Sequence, residues 1–214
     1  MTGINRRILM AVIGMILVSP AWAEEAKDKG KAMLDAASPF GYRVLGKADA
    51  PVTLIEYASA TCPHCAEFHM TVLPQIKSEY IDTGKVKFIF REFPLDGMAL
   101  GVFMLTRCLP EDKFFATTDL FFRRQQTWAK AANPSVEITK ITSMAGMDKA
   151  TFEKCIKNED MAKTMNAFAR KSAADFGIKG TPALFVNGEY IDGHKEMADV
   201  KSALDAAIAT ASQK

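Results

Sequence analysis

The sequence has 214 residues, 49% of them hydrophobic, and its 27 Lys and Arg residues nearly balance its 25 Asp and Glu residues. A chain of this length can bury a sizeable core, and its balanced charge argues against electrostatic capture of nucleic acid or of an anionic membrane. Its four cysteines are too few for a scaffold built on disulfides, so they need separate explanations.

The first 23 residues have the pattern of a secretory signal peptide. Arg6 and Arg7 precede an uncharged apolar run over residues 8–18, and Ala21-Trp22-Ala23 favours cleavage after Ala23. The run has eleven residues, fewer than the roughly 20 that span a bilayer. The arginine pair is also compatible with twin-arginine export. We expect residues 1–23 to be removed and the remaining 191 of 214 to form a soluble, exported protein.

The segment after the signal predicts a short connection followed by two strands. Residues 24–38 are charged and rich in alanine, which is typical of a tether or one short helix. Residues 40–47 predict an edge strand. Residues 52–59, V-T-L-I-E-Y-A-S, predict a central strand, because the apolar character is nearly continuous.

A helix and a further strand follow the stretch T-C-P-H-C. Phe68, Val72 and Ile76 recur at helical spacing, and Gly84 marks the predicted end of the helix. Residues 86–93 alternate in the manner of a strand. The order strand, helix, strand favours a parallel, right-handed unit.

Residues 95–176 predict a series of helices, for which Ser135 and Asp148 are candidate N-caps. Strand character returns at residues 183–186 and 189–192, which Asn187-Gly188 joins as a hairpin. An amphipathic helix ends the chain. The predicted fold is therefore α/β, with a helical domain, residues 95–176, inserted between a strand-helix-strand half, 39–94, and a hairpin-helix half, 177–214.

The pair Cys62 and Cys65 is typical of redox chemistry. Cys62 falls where strand becomes helix, so its sulfur lies near the unpaired N–H groups of the first turn, which favour the thiolate. Pro63 suits the first helical position, and protonated His64 adds a cation near the sulfur. Cys65 lies nearly one turn further into the helix. This arrangement predicts Cys62 as the attacking sulfur and Cys65 as the resolving one.

Two other interpretations of the pair remain open. Cys62, Cys65 and His69 could share one helical face and bind copper(I) or zinc, although no fourth ligand is evident and His69 could equally be a solvated helix residue. A purely structural disulfide would close only two intervening residues and contribute roughly 2 kcal/mol on the chain-entropy model.

These features resemble the thioredoxin superfamily, specifically its exported DsbA-like branch. The likeness rests on strand 52–59 leading into Cys62-Pro63-His64-Cys65, on the helical insertion, and on Thr181-Pro182 before the strand A-L-F-V. It covers most of the mature chain in the right order. It implies a thioredoxin-like fold and a periplasmic thiol-disulfide oxidoreductase that needs no metal and no cofactor beyond its own Cys62–Cys65 disulfide.

The resemblance also implies roles for residues outside the motif. In this family the proline at Pro182 is cis and faces the cysteines, which leaves the backbone of Thr181 free to pair with an extended substrate strand; an ordinary trans proline is the alternative. Glu56 matches a buried acid that exchanges a proton with the resolving cysteine, and a water-facing edge residue is the alternative. The best-known oxidases carry valine where Thr181 stands, and threonine occurs in relatives that reduce or isomerise disulfides.

Cys108 and Cys155 both lie in the predicted helical insertion. Helical spacing places Cys108 beside Met104 and Leu105, and Cys155 follows Phe152 by three, so both are expected to point inward. We expect a structural disulfide between them, with two buried free thiols as the alternative.

The sequence therefore predicts an exported enzyme that passes its Cys62–Cys65 disulfide to folding secreted polypeptides. By resemblance, a quinone-linked, DsbB-like membrane partner would reoxidise it. The short segment 24–38 offers little for oligomerisation and favours a monomer. A disulfide isomerase or reductase of the same fold is the first alternative, and an exported copper(I)- or zinc-binding protein is the second.

Overall fold

Five strands form one mixed sheet, and a central strand of that sheet leads directly to the cysteine pair. The computed structural model describes residues 20–192 and 197–213. The strands are β1 (Arg43–Leu45), β2 (Val52–Ala58), β3 (Val86–Glu92), β4 (Ala183–Val186) and β5 (Glu189–Asp192), in the spatial order β1-β3-β2-β4-β5. β2 and β3 are parallel, whereas every other neighbouring pair is antiparallel.

This sheet confirms the predicted strand-helix-strand unit and the predicted hairpin. All seven residues of β2 are buried, as expected for a strand between two neighbours with both faces covered. The predicted edge strand over residues 40–47 is shorter than expected. Gly41 and Gly46 flank β1 with φ values of 72° and 93°, a left-handed conformation that interrupts an extended strand.

The helix that follows β2, called α2 here, covers residues 63–81 and carries Cys65 in its first turns. Two stretches of it, Phe68–Val72 and Lys77–Ile81, have the wider π-helical hydrogen-bonding pattern. The helix ends near the predicted stop: Gly84 has a φ of 76°, and the Lys85 N–H donates to the carbonyl oxygen of Tyr80 across 2.9 Å.

The remaining helices lie before the sheet, between β3 and β4, and after β5. They are α1 (Pro20–Asp35), α3 (Gly97–Cys108), α4 (Phe114–Arg123), α5 (Gln125–Ala129), α6 (Pro134–Met144), α7 (Lys149–Ile156), α8 (Glu159–Phe176) and α9 (Met197–Ala211). In the ranges that the structure describes, no helix combines the length and the apolar character needed to cross a membrane.

The two predicted helix caps have different outcomes. Asp148 caps α7, because its carboxylate accepts a hydrogen bond from the Thr151 N–H at 2.7 Å. The prediction that Ser135 caps the preceding helix is wrong. Pro134 already occupies the first turn, where a missing N–H costs nothing, so Asn133 is the cap position and Ser135 lies inside α6.

The inserted helices share a hydrophobic core with the sheet. One cluster of buried residues combines Phe88 of β3 and Leu204 of α9 with Phe103, Phe121 and Trp128 of the insertion. A second cluster on the other face of the sheet contains Met33, Ile55, Tyr57, Ile89 and Phe185. The sheet is therefore covered on both faces, which is what allows β2 to be apolar along its whole length.

The N-terminal helix α1 is docked on the second cluster. Its Met33 side chain is 2% exposed, and the buried guanidinium of Arg91 donates to the Met33 carbonyl oxygen at 2.9 Å and to the Tyr57 hydroxyl at 2.6 Å. Of the two predicted forms for residues 24–38, the structure has the helix, packed against the sheet. The apolar run of the predicted signal peptide, residues 8–18, lies outside the described residues.

Candidate active site

Cys62 lies at the junction between β2 and α2. It occupies the cap position before Pro63 with an extended backbone, φ −75° and ψ 120°, so its sulfur faces the N–H groups of the first helical turn. Both Cys62 and Cys65 are free, buried thiols in this structure. The junction predicted from the sequence is therefore present, with Pro63 as the first helical residue.

The surroundings of Cys62 lower its pKa to about 5. The largest cause is a hydrogen bond from the Cys65 thiol, and the Thr181 side chain and the backbone N–H groups of Cys65 and His64 act in the same direction. Burial opposes them, because it disfavours the charged form. At neutral pH Cys62 is consequently a thiolate, which is the reactive form in disulfide exchange.

The surroundings of Cys65 have the opposite effect and raise its pKa well above the ordinary value. Burial is the main cause, followed by the hydrogen bond to Cys62 and by the negative charge of Glu56. Cys65 is therefore a protonated thiol that must lose its proton before it can attack. The two cysteines of one motif thus differ in protonation, with Cys62 as the thiolate and Cys65 as the thiol.

The peptide bond between Thr181 and Pro182 is cis and lies against the cysteine pair. In its protonated form, Cys62 donates a hydrogen bond to the Thr181 carbonyl oxygen at 3.0 Å. The buried Thr181 hydroxyl has no hydrogen-bond partner in the described part of the chain, but it can donate to Cys62 once that sulfur is ionised. The two motifs that the sequence separates by more than one hundred residues therefore form one site.

His64 is directed outward from the motif. Its side chain is 56% exposed, and its Nδ1 lies 3.7 Å from the Glu67 carboxylate. Its backbone N–H, however, is among the groups that lower the pKa of Cys62. The role of the protonated ring that the sequence suggests stays a prediction.

Glu56 is fully buried in the middle of β2, opposite Phe90 of β3 and Leu184 of β4. The alternative that it faces water at an edge is therefore wrong, because β2 has a neighbour on each side. Its Oε2 lies 2.9 Å from Nε2 of His69. A buried carboxylate needs such a partner, since its removal from water is otherwise costly.

His69 is 3% exposed, so the interpretation of it as a solvated helix residue is wrong. The metal hypothesis grouped it with Cys62 and Cys65, yet its Nε2 is engaged with Glu56. Over residues 20–192 and 197–213, no three His, Cys, Asp or Glu side chains are grouped closely enough to hold a metal ion.

Gln125 contributes to the site, although no sequence pattern indicated it. This buried side chain of α5 donates to the carbonyl oxygens of Ala60 and Cys62 at 2.8 and 2.9 Å. Asp96 adds a second link from the insertion, because its carboxylate accepts from the Thr61 hydroxyl at 2.6 Å and from the Ala99 N–H at 2.8 Å. The inserted helices thus hold the backbone that presents Cys62.

Cys108 and Cys155 are bonded to each other in the structure and connect α3 with α7. Their bond lies within the insertion and involves neither sulfur of the cysteine pair.

Comparisons with known proteins agree with this architecture. Residues 40–206 match the profile of the family described as thioredoxin. A putative protein-disulfide oxidoreductase of Rickettsia bellii is 31% identical over 166 residues, which are 77% of this chain but only 64% of that relative's length. A probable disulfide bond formation protein D of Bacillus cereus is 29% identical over 205 residues, covering 92% of this chain and 90% of that protein.

A solved structure has the same fold. The crystal structure of Wolbachia pipientis alpha-DsbA1 superposes with a TM-score of 0.71 at 29% identity, over 79% of this chain and 92% of that one. The predicted thioredoxin-like fold and the likeness to DsbA proteins are confirmed. With its cysteine pair at the end of β2 and a cis proline facing it, the chain belongs to the thioredoxin family.

Proposed function

We propose that the chain is an exported thiol-disulfide oxidoreductase that introduces disulfides into folding polypeptides. The observation that carries this proposal is the contrast between the two thiols of the motif, since the pKa of Cys62 is lowered to about 5 while that of Cys65 is raised. A stabilised thiolate makes the reduced enzyme more stable relative to its disulfide. The disulfide is then a strong oxidant and a good donor.

The exchange begins when a substrate thiolate attacks the sulfur of Cys62 in the enzyme disulfide. The Cys62–Cys65 bond breaks, a bond between Cys62 and the substrate forms, and Cys65 leaves and takes up a proton. A second substrate thiolate then attacks the substrate sulfur and releases Cys62, which is a good leaving group because its pKa is low. The substrate gains one disulfide and the enzyme ends with two reduced cysteines.

Thr181 would hold the substrate backbone beside Cys62. The residue precedes β4, and its carbonyl oxygen lies at hydrogen-bond distance from the attacking sulfur. Pro182 presents no N–H, so the Thr181 backbone is the group that an extended peptide can pair with. The name of the Bacillus cereus relative, a disulfide bond formation protein, supports the direction of the reaction.

Export and reoxidation complete the proposal. The pattern of residues 1–23 supports export to the periplasm, where disulfides persist. A quinone-linked membrane oxidase of the DsbB type would return the pair to the disulfide, and the enzyme would work as a monomer on secreted polypeptides.

Oxidation of a reduced peptide with two cysteines tests the activity. The purified oxidised protein should form the peptide disulfide, and Cys62→Ser should abolish the reaction. Full activity in Cys62→Ser would contradict the proposal.

A redox titration against glutathione tests the direction. A potential close to that of strong oxidants supports the oxidase, whereas a low, thioredoxin-like potential would make the chain a reductase or isomerase instead.

A further inference from the structure

A buried pair of side chains connects the resolving thiol to a cavity that opens on the surface. Glu56 acts electrostatically on Cys65 and lies 2.9 Å from His69. His69 in turn forms part of the wall of a cavity of about 250 Å³ between α2 and α4. The wall also includes the exposed side chains of Lys77 and Arg123, so the cavity is accessible to solvent. Neither cysteine lines it.

The resolving thiol needs a route for its proton. Cys65 is fully buried and protonated, and it has to lose a proton whenever it attacks a mixed disulfide at Cys62. Glu56 is the acceptor implied by its electrostatic effect on Cys65, and its Oε1 has no hydrogen-bond partner among the described residues. Glu56 is itself fully buried, so it cannot pass a proton directly to bulk water.

The geometry of His69 suits the next step. Its Nε2 faces Glu56, and its ring is packed against Phe122 with centroids 4.1 Å apart and 31° between the planes. Phe68 and Phe90 contact the ring edge-on at 5.9 Å. This aromatic packing holds the imidazole in one orientation. An imidazole can accept a proton at one nitrogen and release a proton from the other, which an amide at this place could not do.

Among the residues that the structure describes, four charged side chains contact His69 or share its cavity. Glu56 faces it from β2, Lys77 shares the cavity from α2, and Asp119 and Arg123 share it from α4. Asp119 and Arg123 are paired with each other at 2.6 Å. Glu56 is therefore the charged group that directly engages the ring, and the other three line the cavity.

We propose that His69 is a relay residue that carries protons between Glu56 and the solvent-accessible cavity during the reactions of Cys65. The inference rests on the proposed function. It adds a proton path that does not use Thr181 or Pro182, which are proposed to face the substrate.

In the mixed disulfide the Cys65 thiol gives its proton to Glu56, and the Cys65 sulfur attacks Cys62. The Cys62–Cys65 bond forms, the bond from Cys62 to the substrate breaks, and the substrate leaves as a thiolate with the electron pair. Glu56 passes the proton to Nε2 of His69, whose Nδ1 releases one to water in the cavity. Reduction of the disulfide runs the relay in reverse, so each full cycle restores the starting tautomer.

A two-phase reaction with dithiobis(nitrobenzoate) tests the relay without a protein substrate. Attack by Cys62 of the reduced enzyme releases the first thionitrobenzoate, and attack by Cys65 on the resulting mixed disulfide releases the second. Stopped-flow absorbance separates the two phases. His69→Gln keeps a side chain that can form a hydrogen bond with Glu56 but cannot relay a proton. It should slow the second release about 10-fold or more and leave the first unchanged. A solvent isotope effect on the second release in the parent protein should change in this variant.

A second variant leaves the buried pair intact. Ala116 is an exposed residue of α4 in the cavity wall, so Ala116→Phe should fill the opening and also slow the second release. Ala174→Phe, the same change at an exposed alanine of α8, is the matched control and should affect neither phase. Circular dichroism and thermal melting check that each variant folds.

The outcomes separate the relay from the activity itself. If either His69→Gln or Ala116→Phe leaves the second release unchanged, the path through the cavity is overturned. Equal slowing of both phases by His69→Gln would show a structural role and would also overturn it. If the parent protein lacks the fast first release, the proposed function fails at Cys62, independently of His69.

Discussion

The sulfur of Cys62 lies 3.0 Å from the carbonyl oxygen of Thr181, although 119 residues separate them in the chain. The sulfur therefore lies between the first turn of its own helix and the start of a distant strand. Most of the groups that favour its thiolate, including the Cys65 thiol and the Thr181 side chain, are brought to it only by folding. The protonation of Cys62 is for this reason coupled to the stability of the reduced protein.

This coupling predicts a specific pH dependence. The pKa of Cys62 falls from an ordinary 9.0 to about 5 in the folded, reduced protein. The stabilisation is complete above the unfolded-state pKa, decreases as the pH falls, and is lost once the pH passes below the folded-state pKa. At about pH 7 it should amount to about 3 kcal/mol in the free energy of unfolding. Urea denaturation of the reduced protein at about pH 7 and about pH 4 measures the loss.

The oxidised protein is the control, because it has the same carboxylates but no titrating thiols. A parallel loss of stability in the reduced and oxidised proteins would contradict the prediction. The reduced Cys62→Ser variant should behave as the oxidised protein does.

Gln125 offers a test of how the insertion supports the site. Gln125→Leu removes the donor shared by the carbonyl oxygens of Ala60 and Cys62 and leaves these buried acceptors less satisfied. The free energy of unfolding should fall by about 1–3 kcal/mol. The rate of Cys62 alkylation should also change, since the backbone that presents its sulfur is less firmly held. Gln126→Leu, at the exposed neighbouring position, is the matched control and should stay within about 0.5 kcal/mol of the parent.

The sequence predicted the parts of this fold that depend on local pattern. The buried β2, the Asn187-Gly188 hairpin and the Asp148 cap each follow from a few adjacent residues. The same is true of Cys62 at the start of a helix with Pro63 behind it. In these cases the physical cause, an apolar run, a turn residue or a free N–H, lies within one element.

The features that local pattern left open or missed depend on contacts between elements. Glu56 could not be placed from its own strand, because its burial depends on β4, which pairs with β2 only after the whole insertion. The partner of Glu56, His69, lies 13 residues away on α2. The buried orientation of the His69 ring depends on packing against Phe122. Gln125 had no local signal at all, since a glutamine on a helix is ordinarily solvated. The prediction that Ser135 caps a helix was wrong for a local reason, because Pro134 already occupies the first helical position.

The docking of α1 leads to a further prediction about stability. Met33 is 2% exposed and packs with Tyr57 and Phe185 in the second cluster, so Met33→Ala should leave a cavity and lower the free energy of unfolding by about 2–5 kcal/mol. Met70→Ala, at a methionine that is 44% exposed, should change it by less than about 0.5 kcal/mol. Denaturation curves of the two variants measure the difference. Equal, small effects would mean that residues 24–38 behave as a tether.

Removal of the disulfide between Cys108 and Cys155 should lower the stability of the protein without changing its rate of peptide oxidation. The bond closes a loop with a sequence separation of 47 residues. On the chain-entropy model its removal in the double variant Cys108→Ala/Cys155→Ala should lower the free energy of unfolding by about 4 kcal/mol. Gln125 and Asp96 hold the Cys62 backbone through contacts that do not involve this bond, so peptide oxidation at a temperature where the variant is folded should be unchanged. Denaturation without reductant and the oxidation assay measure the two quantities. A large loss of oxidation in the folded variant would instead show that the disulfide helps to position the redox pair.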